Sequence, residues 1–366
     1  MPRLYYFDNI KILLIVIVVF IHAGMAYVPV AELWPVSFPT PFPAAELLVV
    51  GTFEAIGSSF AMALFFFISA YLLVGSFDRK GQKKFLRDRF VRIGIPLFGI
   101  GAFLLILTAA VRANPAIFSF SWLFLLTVKG ANSATLSLGW LWFLLLLLIL
   151  AVVYSVWRTL HITIPPVPCP GNGTLVLAAL ALGVANFAAR RVYDLDIWVL
   201  WHAVEPAHVL LYVLFMVGGI LAYRNGWLET VSPSLVRTWG SVSVVGLCGI
   251  PVLIAFPKLP SLLYCLWEAW LGIGICVTLL IVCKHRWNTT GRIKAVLAKN
   301  VYTVYIIQVP IVVFLQSRFI QGGLLIPGGL PPLLQFVLVG VLATAFCFLI
   351  SNYVVRKIPY AERVLF

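Results

Sequence analysis

Apolar runs long enough to cross about 30 Å of hydrocarbon recur along almost the whole chain, separated by short polar connections. Ten lie near residues 10–28, 53–76, 93–111, 137–157, 173–189, 205–223, 239–256, 261–283, 300–316 and 332–355. Each predicts one transmembrane helix, because a backbone surrounded by lipid has to satisfy its own N–H and C=O groups. The fifth and ninth runs are the shortest. An apolar, aromatic stretch at 116–128 is too brief to span and reads as interfacial or re-entrant. The pattern predicts an all-α polytopic membrane protein of about ten helices. It forms one membrane domain over 1–366, with no internal repeat and no loop long enough for an independent domain.

Two ionisable side chains interrupt the first run, Lys11 and His22, with only Ile, Leu, Val and Phe between them. Eleven helical steps bring the second about 20° past three full turns and about 16 Å along the axis, so both share one face. A lysine at helix-centre depth costs about 2.5–3.5 kcal/mol on insertion scales, which makes such a residue a pointer to function. Snorkelling to the interface is the plain alternative for Lys11, and a helix–helix hydrogen bond for His22.

Composition agrees with the pattern. Of 366 residues, 62% are hydrophobic and 10% charged, against about 25% charged in soluble domains. A net charge of +14 in a soluble protein would suggest nucleic acid. In this chain the basic residues lie between apolar runs, so topology and anionic membrane lipids account for them and no nucleic acid is expected. The 77–92 loop holds Arg79, Lys80, Lys83, Lys84, Arg87, Arg89 and Arg92, and the 284–299 loop holds Lys284, Arg286, Arg292, Lys294 and Lys299. With ten spans, both loops and both termini fall on the cytoplasmic side of a cell membrane, which predicts a multi-pass protein with cytoplasmic ends. Arg190-Arg191 in an outer loop is the exception, partly balanced by Asp194, Asp196 and Glu205. The six cysteines follow no metal-ligand spacing and read as small core residues. The first run has no small-residue cleavage site and reads as a retained helix.

Several polar residues are candidates for chemistry. Arg89 and Arg92 occupy neighbouring positions of one helical face, with Lys83 and Lys84 close by, a set suited to holding phosphates or to an ordinary positive-inside loop. Glu268, within Leu266-Trp267-Glu268-Ala269-Trp270, is an intramembrane carboxylate, either lining a site or partnering a histidine or arginine. Asp8 can cap the first helix or pair with Lys11 three residues on. His202, Glu205 and His208 have helical spacing for metal ligands, but Pro206 interrupts them and no further ligand stands out, so no metal is expected. Trp34 and the proline-rich 35–43 stretch form either an outer lid or a plain loop.

The run Arg3-Leu4-Tyr5-Tyr6-Phe7-Asp8-Asn9-Ile10-Lys11, followed by ten residues and His22-Ala23, resembles the opening of the acyltransferase-3 family of multi-pass membrane enzymes. Phe66-Phe67-Ile68-Ser69-Ala70-Tyr71 and Arg89-Phe90-Val91-Arg92 resemble its second signature, and Gly139-Trp140-Leu141-Trp142-Phe143-Leu144 its Leu-Trp-Phe-Leu element. The stretch from Phe215 to Gly219, then Leu221 to Arg224 and Gly226-Trp227-Leu228, is similar to a later helix and loop. Tyr302-Thr303-Val304-Tyr305-Ile306-Ile307 is similar to the late Ser-Tyr-x-x-Tyr-x-x-His stretch. The matches run in family order from residue 3 to about 310. Three positions depart from it: Lys11 replaces the commoner arginine, Ala70 a glycine, and Gln308 the late histidine. Gln308 can hydrogen-bond but cannot titrate, which leaves His22 as the base.

The resemblance implies an O-acyltransferase. An acyl group, acetyl or another short chain, would pass from cytoplasmic acyl-CoA to a hydroxyl of a sugar, glycan or other small acceptor. His22 would then be the general base, Lys11 would orient the donor or stabilise charge, and Glu268 would be a further catalytic candidate. Arg89, Arg92, Lys83 and Lys84 would hold the CoA phosphates. Asp8, Trp142, Tyr305 and Gln308 would line the substrate path. No serine or cysteine stands beside His22, which favours direct transfer. A transporter of a small anion and a non-catalytic scaffold remain the alternatives on residues alone.

Overall fold

Ten lipid-length apolar runs leave the backbone one economical solution, helices whose hydrogen bonds close internally, and helices are what the computed structural model contains. It describes residues 3–28, 34, 36, 43–101, 103, 139–160, 165–193, 199, 204–255, 261–321 and 330–366. The principal helices are α1 (Tyr5–Gly24), α2 (Ala44–Lys80), α3 (Gln82–Arg89), α4 (Trp142–Thr159), α5 (Asn172–Arg190) and α6 (Pro206–Arg224). After the short α7 (Trp227–Thr230) come α8 (Leu235–Ala255), α9 (Ser261–Arg286), α10 (Arg292–Gln316), α11 (Pro332–Tyr353) and the short α12 (Ala361–Leu365). Among the described residues eight helices are long and apolar enough to span a membrane, and α8 is a shorter apolar one. Nine of the ten predicted runs are therefore helical. The remaining one, 93–111, begins as two π-helical turns, Phe90–Gly94 and Pro96–Ile100. Pro96 has no N–H to donate, which favours a break in the regular ladder there. Its continuation beyond 103 and the 116–128 stretch lie outside the described residues.

α1 is the central pillar, packed against α2, α9, α10 and α11. Leu14, Ile15, Val18, Val19 and Ala23 of α1 are buried. α2 makes its most extensive contact with α6. Gly219 permits this, since a Cβ there would stand 2.3 Å from the Phe67 carbonyl oxygen. Gly272 of α9 meets the Ser59 carbonyl of α2 in the same way, again at 2.3 Å. Without a hydrophobic driving force between helices in lipid, such close backbone approach is a main source of association.

Hydrogen bonds gather the basic segments at one end of the bundle. Asn9 donates to the carbonyls of Trp287 and Thr289, and the Tyr6 N–H to Asn288 Oδ1 at 3.2 Å. Arg92 Nη2 donates to the Phe366 oxygen at 2.5 Å, and the Tyr302 hydroxyl to the Arg92 carbonyl at 2.5 Å. The start of α1, the 80–92 and 284–299 segments and the chain's last residues thus lie at one end of the bundle. The end of α1, Trp34 and the end of α10 meet at the opposite face.

Candidate active site

Lys11, near the basic end of α1, is paired with Asp8 Oδ1 at 2.8 Å, and Arg3 holds Asp8 Oδ2 at 2.8 Å. Of the two sequence readings of Asp8, cap or pair, the structure shows the pair with Lys11, and Lys11 is about one quarter exposed. Three turns further along α1, His22 sits in different company. Its ring stacks on the Trp34 indole, with centroids 5.5 Å apart and planes 20° from parallel. The Val18 carbonyl one turn back and the Gln308 side chain of α10 face the imidazole. Neither reaches full hydrogen-bond geometry at Nδ1, so that nitrogen and both polar atoms of the Gln308 amide are buried without a partner. Gln308 is 0% exposed. Buried polar groups of this kind are rare and costly, and they mark capacity to bind a polar group.

Gln316 organises the rim. The indole N–H of Trp34 donates to its Oε1 at 2.8 Å, and its Nε2 donates to the carbonyls of His22 at 3.3 Å and Ala23 at 2.9 Å. Those carbonyls belong to the last turn of α1, where no intrahelical donor is left for them. Glu54 of α2 also faces α1 here. A Cβ at Gly24 would stand 2.0 Å from its Oε1, and that oxygen is buried with no partner.

Midway along the bundle, α4 begins after a 3-10 turn at Gly139–Leu141. The Trp140 indole donates to the Ile306 carbonyl at 3.2 Å, and the Tyr305 hydroxyl donates to the Trp140 carbonyl. Tyr305 also packs edge-on against Phe143 at 5.5 Å. Trp142 stacks on Tyr212 at 5.3 Å and tilts against Phe66 at 6.0 Å. Trp142 and Tyr305 thus belong to one aromatic layer joining α2, α4, α6 and α10.

Glu268 has a separate set of partners. One carboxylate oxygen lies 2.5 Å from Arg190 Nη2 and the other 3.0 Å from His208 Nε2, while His208 Nδ1 lies 2.8 Å from Glu205 Oε2. The four groups clamp α5, α6 and α9 together. Both Glu268 oxygens are occupied, which gives the carboxylate the structural partnership with arginine and histidine that was one of its two sequence readings. His202, Asp194, Asp196, Glu32 and most of the 35–43 stretch lie outside the described residues.

At the basic end, Arg89 is half-buried on α3 with its guanidinium 5.2 Å from the Phe85 ring centre. Burial, then the neighbouring Arg92 charge, brings its pKa down to about 10, so it stays cationic at neutral pH. Arg92, Lys83 and Lys84 are exposed. The four cations expected to bind phosphate therefore lie on one α3–π-turn unit, at the end of the bundle where α1 begins.

Against this geometry, the acyltransferase domain of the acyltransferase-3 family matches residues 4–352 of the chain. The chain belongs to the acyltransferase-3 family. Comparison with curated proteins and with solved structures gave no match. The acyltransferase-3 domain thus takes in α1 to α11 almost entirely, including the Lys11–His22 helix, the basic α3 unit and the Gln308 helix.

Two residues packed against the last turn of α1 escape a sequence reading. Glu54 lies in the second apolar run and carries the same signal as Glu268, an intramembrane carboxylate. Gln316 lies at the end of a run and has no signal of its own. Its importance depends on three contacts across nearly 300 residues of sequence.

Proposed function

We propose that this acyltransferase-3 protein transfers a short acyl group from acyl-CoA to the hydroxyl of a sugar, glycan or other small acceptor. The observation that carries the reading is His22, an imidazole with a buried, unpartnered Nδ1 facing the unpartnered Gln308 amide. The exposed cations gathered at the other end of α1 support it. By the positive-inside rule that end faces the cytoplasm, where acyl-CoA is available.

In this reading the CoA phosphates rest on Arg89, Arg92, Lys83 and Lys84, and the thin pantetheine arm runs beside α1 toward the aromatic layer. His22 takes the proton of the acceptor hydroxyl as its oxygen attacks the thioester carbonyl carbon. The carbon–sulfur bond breaks, and the proton held by His22 passes to the departing CoA thiolate. The Gln308 amide is free to donate to or accept from a group that enters beside the imidazole, without changing charge. Lys11 is about 16 Å along the helix axis from His22 and shares Asp8 with Arg3. Its role is therefore to line the donor path, and it does not touch the reacting atoms.

The test is transfer of label from acyl-CoA to acceptor glycans by the purified full-length protein. His22→Ala is expected to lower transfer by about 10²–10⁴-fold, the usual contribution of a general base. Undiminished transfer in that variant would remove His22 from the mechanism.

A further inference from the structure

We infer that Gln316 and Trp34 are positioning residues for His22 that shield it from water, so that the acyl group goes to the acceptor and not to hydrolysis. Gln316 is fully buried and uses its amide in three directions. Two of its bonds hold the carbonyls of His22 and Ala23, which sets the height and rotation of the last turn of α1. The third holds the indole of Trp34 flat against the imidazole, at 5.5 Å and 20°. One side chain on α10 thereby determines both where the His22 backbone sits and what covers its ring.

The covering group matters because of what the opposite arrangement would allow. A base at the far end of the bundle from the basic face, left open, would also deprotonate water, which outnumbers any sugar hydroxyl. Water would then attack the thioester carbonyl carbon, the carbon–sulfur bond would break, and free acid and CoA thiol would form. An indole over the ring denies water that position. A larger acceptor can displace or extend the stack, because an aromatic face makes favourable contact with other flat or apolar surfaces. This catalytic half rests on His22 being the base, whereas the shielding half does not.

Two measurements on the purified full chain separate the halves. The first is the rate at which diethyl pyrocarbonate modifies His22, followed by peptide mass spectrometry, with exposed His285 as the internal reference. Loss of a ring stack or of a buried hydrogen bond is expected to speed modification of His22 about tenfold in Trp34→Ala and in Gln316→Leu. Trp34→Phe keeps a ring and loses the N–H, and falls between. Modification of His285 stays constant if the fold is intact. Equal His22 rates in the wild type and all three variants would overturn the shield. The second is the ratio of acyl-CoA hydrolysis to acyl transfer, expected to rise about tenfold in the same variants. A parallel fall of both reactions, with no change in ratio, would show that the pair only supports the fold. Faster modification of His22 with neither reaction in the wild type would leave the shield standing and overturn the assignment of His22 as base.

Discussion

Replacing Glu268 by glutamine keeps the shape of the side chain and removes the anion shared by Arg190 and His208. At an effective dielectric constant of about 20, a charge pair at 2.5 Å attracts by about 6–7 kcal/mol and one at 3.0 Å by about 5–6 kcal/mol. Stripping water from the four groups of the cluster offsets most of that gain. The cost of removing one partner is larger than the net worth of the cluster, because Arg190, only 9% exposed, would stay buried without its anion while His208 keeps Glu205. For such an uncompensated site the loss is about 3–5 kcal/mol. In detergent this corresponds to a fall in melting midpoint on the order of 10 °C. The double variant Arg190→Met/Glu268→Leu, which removes both charges and fills the space, should melt above Glu268→Gln. Acyl transfer at a temperature where all variants remain folded should change little. If Glu268→Gln melts within about 1 °C of the wild type and yet loses transfer, the clamp reading is wrong and the carboxylate takes part in chemistry.

Arg89→Ala/Arg92→Ala should raise the KM for acyl-CoA by about 10²–10⁴-fold with kcat nearly preserved, since charge-assisted hydrogen bonds to phosphate are worth about 1.5–3 kcal/mol each; steady-state kinetics with varied donor checks this. Gly219→Leu drives a side chain into the Phe67 carbonyl and should cut the yield of monodisperse protein on size exclusion, with the Gly219→Ala variant intermediate. Glu54→Met removes a carboxyl whose Oε1 has no partner, and by relieving about 1–3 kcal/mol of desolvation should raise the melting midpoint. A lower midpoint would mean that Glu54 has a role in holding the fold together.

The helical architecture was legible because its cause is local: each apolar run has to close its own hydrogen bonds in lipid. The Lys11–His22 face was legible for the same reason, being a matter of periodicity within one helix. What could not be read is side-chain partnership across helices. Arg190 stood in the sequence as an exception to the charge rule, and only the packing of α5 on α9 shows that it answers Glu268. Trp34 could be named as a candidate cover for the acceptor, but its stacking on His22 depends on Gln316, which periodicity treats as an ordinary end of a run. The π-turns after Arg89 were hidden for a different reason. Pro96 signals a disturbance, while the choice between kink and widened turn is made by tertiary packing.

The Gln308 amide bears on inhibitor selectivity. Among the described residues its nitrogen and oxygen face His22 without completing a hydrogen bond, so a compound with a hydroxyl or amide at that height gains affinity by relieving an existing deficit. A purely apolar compound of equal size seals the deficit in and forgoes about 1–3 kcal/mol, roughly a 5- to 150-fold difference in Kd.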